Sequence, residues 1–223
     1  MLDRMGHGGT LTAGPLLAPP RLRGMLHLGG FVVAAIAGPL LFALTGARWS
    51  VAVYAASLMA MLGISVAYHR GRWTPPVKRR WKRADHAAIG IFIAGTYTPI
   101  CAIGMAAPEG PRLLAMVWAA AGLGAVRAIA WPTAPRWIAA ATYVLIGWVA
   151  ILALPAILHA IGPLRLGLIV AGGVCYTIGA SIYAMRWPDP WPRTFGFHEL
   201  FHALTLVAVV LHFGAILAIV TRR

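Results

Sequence analysis

Two histidines near the end of the chain have the spacing of a metal-binding pair. His198 and His202 open the last long apolar segment. In a helix, residues four apart share one face, with Cβ atoms about 5 to 6 Å from each other. Two imidazoles at that separation suit a single zinc ion. The pair therefore predicts a metal site at the start of the last segment.

A second group of polar residues flanks an earlier apolar segment. Ser65 and His69 repeat the four-residue spacing at the end of one segment, and Asp85 stands at the start of the next. Catalytic zinc commonly takes three protein ligands and leaves its fourth position to water. Three histidines and one carboxylate are enough for a hydrolytic centre. His27, near the start of the first apolar segment, is not assigned to it.

The composition is that of a membrane protein. Hydrophobic residues make up 60% of the 223 residues and charged residues 11%, and the mean hydropathy is +0.78. A soluble domain of this size does not need so much apolar surface for its core. The two cysteines, Cys101 and Cys175, lie within apolar segments, so no disulfide framework is expected.

The apolar segments predict an all-α fold, a bundle of seven transmembrane helices. A hydrocarbon core about 30 Å thick needs about 20 apolar residues per helix. We expect an N-terminal cytoplasmic tail over residues 1–25 and a membrane domain over residues 26–223. The predicted spans are residues 26–45, 49–69, 84–106, 112–130, 137–156, 165–185 and 197–220.

The basic residues predict how the bundle is oriented. They are concentrated in the N-terminal tail and in the connection over residues 70–83. By the positive-inside rule, the N-terminus is cytoplasmic, the C-terminus is outside, and the chain is a multi-pass protein of the cytoplasmic (inner) membrane. The net charge of +14 is assigned to topology and anionic headgroups. Nucleic acid is not an expected partner, because no soluble module with interleaved aromatic residues accompanies the charge.

This topology brings the polar residues to one side of the membrane. His69 ends the second helix on the cytoplasmic side, Asp85 starts the third there, and His198 and His202 open the seventh. Ionisable groups inside spanning helices are costly and are usually functional. Four candidates from three helices therefore converge at one depth.

The motifs that carry these residues resemble the hemolysin III family of bacterial seven-helix membrane proteins. That family is similar to the adiponectin and progestin receptors and, more distantly, to the alkaline ceramidases. The resemblance covers all seven helices and implies a zinc ion held by His69, His198 and His202, with Ser65 and Asp85 beside the water it activates. The motifs are Ser65-Val-Ala-Tyr-His69, Asp85-His86 with Gly95-Thr-Tyr-Thr-Pro99, and His198 to His202 followed by His212-Phe213.

The expected function is zinc-dependent hydrolysis of a lipid amide or ester at the cytoplasmic side of the bilayer. Asp85 is the expected base, and Ser65 would position the water or a substrate oxygen. The expected partners are membrane lipids, with a lipid substrate or ligand inside the bundle. The oligomeric state is left open.

Two alternatives stay open at this point. The stretch from His198 to His202 fits the H-E-x-x-H pattern, which would make Glu199 the base of an intramembrane metalloprotease. The protein could also be a non-enzymatic lipid sensor or regulator in which the zinc is structural. The sequence alone does not choose among the three.

Overall fold

The computed structural model describes residues 20–222, and this part of the chain is mainly helical. The helices are joined by short connections. They are α1 (Met25–Leu44), α2 (Trp49–Arg70), α3 (Pro75–Pro99), α4 (Glu109–Ala130), α5 (Arg136–Gly147), α6 (Leu154–Ile161), α7 (Pro163–Met185) and α8 (Phe197–Val220).

Within residues 20–222, seven helical segments are long and apolar enough to cross a membrane, which confirms the predicted fold class. Six of them contain one α-helix each. The fifth, Arg136–Ile161, combines α5, a 3₁₀ turn over Trp148–Ala153, and α6. It extends five residues beyond the predicted end of that span. Most of the predicted tail, residues 1–19, lies outside the described residues.

The third span begins much earlier than the sequence predicts. Residues 75–83, expected to form part of a loop, are the first turns of α3, which starts with Pro75 and Pro76. Proline is well tolerated in the first turn, because its missing N–H would have had no intrahelical partner. The hydropathy pattern marked only the apolar part of this helix. Asp85 therefore lies in the third turn of α3 and not at its start.

The third span is also longer than the membrane core requires. With the π-helical turn Ile100–Gly104 that follows α3, it contains 30 residues, or about 45 Å of helix. The hydrocarbon core is about 30 Å thick. The basic turns over residues 75–83 can therefore extend beyond the hydrocarbon without shortening the span.

The bundle is held together by packing between neighbouring helices. The most extensive contacts are those of α7 with α8, α2 with α3, α3 with α4, and α1 with α2. Close approach of α2 and α3 depends on Gly95, since a Cβ there would lie 2.8 Å from Cβ of Ser57. Small residues that let backbones approach are typical of helix contacts in membranes.

The break in the fifth span is bridged by a tyrosine from α3. The Tyr97 hydroxyl donates to the Gly147 carbonyl at 2.6 Å and accepts from the Ala150 N–H at 3.1 Å. Backbone groups inside a bilayer cannot pair with water and must find partners in the protein. Tyr97 supplies two of those partners where the α-helix is interrupted.

The segments before the first and last helices are joined to each other. The backbone N–H groups of Arg21 and Leu22 donate to the carbonyls of Arg193 and Thr194, at 3.1 and 3.2 Å. This connection lies at the end of the bundle where α2 ends and where α1, α3 and α8 begin. We call this end of the bundle the histidine end.

Candidate metal centre

Three histidines meet at the histidine end of the bundle. His69 is in the last turn of α2, and His198 and His202 are in the first two turns of α8. One ring nitrogen from each lies within 4.8 Å of the others, so the group could hold a metal ion. The structure thus brings together the three residues that the sequence predicted as ligands.

The ring nitrogens of His69 and His198 have the separation of two ligands on one ion. Their Nε2 atoms are 3.3 Å apart. Zn–N bonds of 2.0–2.1 Å at tetrahedral angles place two nitrogens about 3.3 to 3.4 Å apart. The pair therefore fits a tetrahedral site without a change in backbone position.

The third histidine presents an unused nitrogen. His202 is 5% exposed, and its Nε2 atom is buried without a hydrogen-bond partner among residues 20–222. A buried ring nitrogen is costly unless it is paired, and a metal ion would provide the pairing. The donor set of three imidazoles is also one that catalytic zinc uses. On both counts, the group fits zinc.

Asp85 and Ser65 lie beside the histidines. Both line the same cavity as the three histidines. Ser65 is one turn before His69 in α2 and is 2% exposed. All five residues predicted for the site therefore line one cavity, although their roles stay predictions.

His27 belongs to the same cluster, which the sequence did not predict. It lies in the first turn of α1 and is 3% exposed. Both of its ring nitrogens lie close to Nδ1 of His202, at 2.6 and 3.1 Å, and its Nδ1 atom also lies 2.8 Å from the Ser65 hydroxyl. The sequence contains no pattern that would identify His27, because no histidine lies four residues away and its contact in α8, His202, is 175 residues further along the chain.

Glu199 is engaged by groups outside the histidine cluster. Its Oε1 accepts from Nε of Arg23 at 2.5 Å, and its Oε2 accepts from the backbone N–H of Gly196 at 3.0 Å. The second contact satisfies a free N–H at the start of α8. Both carboxylate oxygens therefore have protein partners, and the side chain fixes the start of α8.

A long apolar cavity extends from the histidines into the bundle. Its volume is about 490 Å³. Along α8, its lining extends from His198 to His212, a rise of about 21 Å. His212 is bonded to the carbonyl of Ile169 at 2.9 Å, and it is not part of the three-histidine group. Tyr97 and Tyr176 also line the cavity.

The end of the cavity near the histidines carries positive charge. Lys78 and Lys82 from α3 and Arg136 from α5 line it there. The Arg136 guanidinium is 5.3 Å from the ring centroid of Tyr183 and 5.4 Å from that of Phe197, which are cation–π distances. The cavity is thus amphipathic, polar at the histidine end and apolar beyond it.

Together, these features define a multi-pass membrane protein with a three-histidine candidate metal centre at one end of a seven-helix bundle. The family model described as "Haemolysin-III related" matches residues 17–213. The chain belongs to this family.

Individual relatives support the assignment. The chain is 30% identical over 167 residues to "Hemolysin-3" of Bacillus cereus, covering 74% of this chain and 72% of that protein. It is 29% identical over 122 residues to "Hemolysin-3 homolog" of Bacillus subtilis (strain 168), covering 55% and 54% of the two chains. It is 31% identical over 189 residues to "Heptahelical transmembrane protein ADIPOR2" of Oryza sativa subsp. japonica, covering 76% and 81%.

Proposed function

We propose that this protein is a zinc-dependent hydrolase of a lipid amide or ester, acting at the cytoplasmic side of the cytoplasmic membrane. The observation that carries the proposal is the position of the three-histidine group, at the polar end of a long apolar cavity. A lipid in that cavity would have its acyl chain in the apolar part. Its amide or ester linkage would then lie beside His69, His198 and His202.

Each residue of the site has a defined part in this proposal. His69, His198 and His202 hold the ion. Zinc, when bound, supplies a Lewis acid that activates water and polarises a carbonyl. Asp85 accepts a proton from the attacking water as the water oxygen bonds to the acyl carbon. The C–N or C–O bond then breaks, and Asp85 returns the proton to the leaving amine or alcohol.

The shape and charge of the cavity favour a lipid over a peptide. The lining beyond the histidines is mainly apolar, with Phe92, Ile93 and Ile169 among its residues. An acyl chain needs no hydrogen-bond partners there, whereas an extended peptide would bury unpaired backbone groups. Hydrolysis would also produce a fatty acid anion close to Lys82 and Arg136.

The contacts of Glu199 argue against the metalloprotease alternative. In the H-E-x-x-H mechanism, the glutamate between the histidines is the general base. Here Glu199 is paired with Arg23 and with the Gly196 N–H. Asp85 makes no ion pair within residues 20–222 and lines the cavity. The geometry therefore favours Asp85 as the proton acceptor.

The test combines metal analysis with a lipid assay on detergent-purified protein. We expect about one zinc per chain, and loss of zinc when His69, His198 or His202 is changed to alanine. The protein should release fatty acid from at least one member of a panel of lipid amides and esters that includes ceramides. Chelation should abolish this release.

Asp85→Asn is the decisive variant, because asparagine is nearly isosteric but cannot accept the proton. It should keep the zinc and lower the rate by about 10²- to 10⁴-fold, the usual contribution of a general base. If zinc-loaded wild-type protein releases no fatty acid from the panel, the hydrolase proposal is wrong. The lipid-sensor alternative with a structural zinc would then replace it.

A further inference from the structure

The basic residues in the first turns of α3 fall into two groups, and only one group faces the cavity. Lys78 and Lys82 line the cavity. Arg79, Arg80 and Arg83 lie in the same turns, but they are exposed and are not among the lining residues. The positive-inside rule accounts for basic residues on this side of the membrane. It does not account for the two that line the cavity.

The two lining lysines form a stripe on α3 with His86. Lys78, Lys82 and His86 follow each other at intervals of four residues, so they share one face of the helix. All three line the cavity. Lys82 lies about 4.5 Å, and Lys78 about 10.5 Å, nearer to the start of α3 than Asp85 does. The lysines are therefore on the outer side of the proposed proton acceptor.

Arg136 contacts two rings that pack against the candidate metal centre. Its guanidinium is 5.3 Å from the ring centroid of Tyr183 and 5.4 Å from that of Phe197. Those centroids lie 5.7 and 6.3 Å from the centroid of His198. Arg136 is the first residue of α5, and Phe197 is the first residue of α8. Arg136 thus lies at the histidine end, on the outer side of the histidines.

The stripe on α3 meets a stripe on α5 that contains Arg136. Tyr143 lies two turns after Arg136 on the same face of α5, and both line the cavity. The Tyr143 hydroxyl donates to the His86 carbonyl at 2.8 Å. Arg136 therefore precedes this contact on α5 as Lys78 and Lys82 precede it on α3. The three cations flank the same outer part of the cavity.

These cations have no anionic partner in the described part of the chain. Lys78, Lys82 and Arg136 make no ion pair within residues 20–222, and Nη1 of Arg136 is buried there without a hydrogen-bond partner. Asp85 is the only carboxylate among those residues that lines the cavity. A partly buried charge is costly without a partner. An anion in this part of the cavity would supply the missing partner.

We infer that the lipid carries a phosphate on its alcohol or amine part, and that Arg136, Lys78 and Lys82 bind this phosphate. A phosphate monoester has a charge of about −1.5 to −2 at neutral pH and three acceptor oxygens. Guanidinium pairs with phosphate through two parallel hydrogen bonds, and ammonium pairs with it as a point charge. Three cations around one site therefore suit this group.

The position of the cations assigns the phosphate to one side of the scissile bond. In the proposed function, the acyl chain lies in the apolar part and the amide or ester lies beside the histidines. The part beyond that bond, which is released as the alcohol or amine, would extend outward past Asp85 to Lys82 and Lys78. The inference rests on the proposed function, and it names the substrate class: acyl esters or amides of a phosphate-bearing alcohol or amine.

The test compares two ether lipids that differ only in a phosphate, an alkylglycerol phosphate and the same alkylglycerol without it. Their ether bonds cannot be hydrolysed as esters or amides, so binding is measured without turnover. Binding to the full-length protein in maltoside detergent is followed by isothermal titration calorimetry. We expect the wild type to bind the phosphate-bearing lipid about 10- to 100-fold more tightly, as a hydrogen bond to a charged group contributes.

Three substitutions locate the recognition. Arg136→Gln should remove most of the preference for phosphate and leave the affinity for the uncharged alkylglycerol unchanged. Lys82→Gln should remove less, because it deletes a single ammonium group. Arg83→Gln is the matched control, since it removes a charge from the adjacent exposed position outside the cavity, and it should keep the preference. Unchanged binding of the alkylglycerol shows that a variant retains its folded cavity.

Several results would overturn the inference. Equal affinity of the wild type for the two lipids, or no binding of either, would show that the cavity does not recognise the phosphate. An equal loss in Arg83→Gln and Arg136→Gln would place the attraction on the surface. Glycerol phosphate without an alkyl chain, if it competes at the same concentration, would make the ligand a soluble phosphate. If Arg136→Gln does not fold, the wild-type comparison and Lys82→Gln still decide.

The outcome for hydrolysis is separate. If the phosphate preference depends on Arg136 but no ester or amide is hydrolysed, the proposed function fails and the assignment of the headgroup stands. If lipids with and without phosphate are hydrolysed and bound equally well, the proposed function stands and the assignment of the headgroup fails.

Discussion

Changing Glu199 to glutamine separates a structural role from a catalytic one. The substitution keeps the shape of the side chain and an oxygen that can accept from the Gly196 N–H. It removes the negative charge that pairs with Arg23. If the carboxylate serves the fold, the variant should lose stability while keeping its metal and its activity. If it accepts a proton in catalysis, the variant should keep its stability and its metal but lose its activity.

The expected loss of stability follows from the burial of the pair. The Glu199 side chain is 2% exposed and that of Arg23 is 24% exposed. Breaking a fully buried ion pair costs about 3 to 5 kcal/mol, and a hydrogen bond to a charged group contributes about 1.5 to 3 kcal/mol. Because Arg23 is partly exposed, we expect about 2 to 3 kcal/mol. For a chain of this size, that corresponds to a fall in Tm of about 4 to 12 °C.

The assay is thermal unfolding in detergent, together with zinc content and lipid hydrolysis on the same preparation. Glu109→Gln is the control, because this residue is exposed in the first turn of α4; its effect should be below about 0.5 kcal/mol. Adding Arg23→Met to Glu199→Gln should recover part of the loss by removing the unpaired charge. An unchanged Tm with hydrolysis abolished would refute this reasoning and make Glu199, in place of Asp85, the proton acceptor.

Three further predictions test the fold. Tyr97→Phe should cost about 1 to 3 kcal/mol in thermal unfolding, since it leaves the Gly147 carbonyl and the Ala150 N–H without their partner in the fifth span. Gly95→Ala should cost about 1 to 3 kcal/mol by forcing α2 and α3 apart. Gly122→Ala is the control and should be tolerated, because no atom lies within 4 Å of the added Cβ. Equal melting curves for the two variants would contradict the described packing of α2 against α3. A reporter fused after the last residue should be active outside the cytoplasm, and a cytoplasmic signal would contradict the orientation.

The sequence predicted the seven spans well because a bilayer imposes one strong requirement, a run of about 20 apolar residues. It missed the first turns of α3 for the same reason. Lys78 and its neighbours are charged, yet helix formation outside the hydrocarbon does not require apolar residues. The 3₁₀ turn over Trp148–Ala153 was also missed, since its residues are as apolar as those of the helices beside it.

The candidate site was predictable only where the pattern is local. His198 and His202 are one turn apart, and His69 follows Ser65 by one turn, so spacing within a helix reveals them. The partner of His27 is 175 residues away, and helical periodicity has no means to detect such a contact. The pattern around Glu199 suggested a base, but its pairing with Arg23 depends on tertiary structure.

The order in which the chain is made has a consequence for the metal centre. His69 belongs to the second helix to be synthesised and His198 to the last, 129 residues later. The Arg23–Glu199 pair spans 176 residues, and the bonds from Arg21 and Leu22 likewise await residues 193 and 194. While the ribosome is still inserting the earlier helices, only one of the three imidazoles is present. A metal ion can therefore be held by all three histidines only after residue 202 has been made, and such an ion would mark a molecule whose second and last helices have already met.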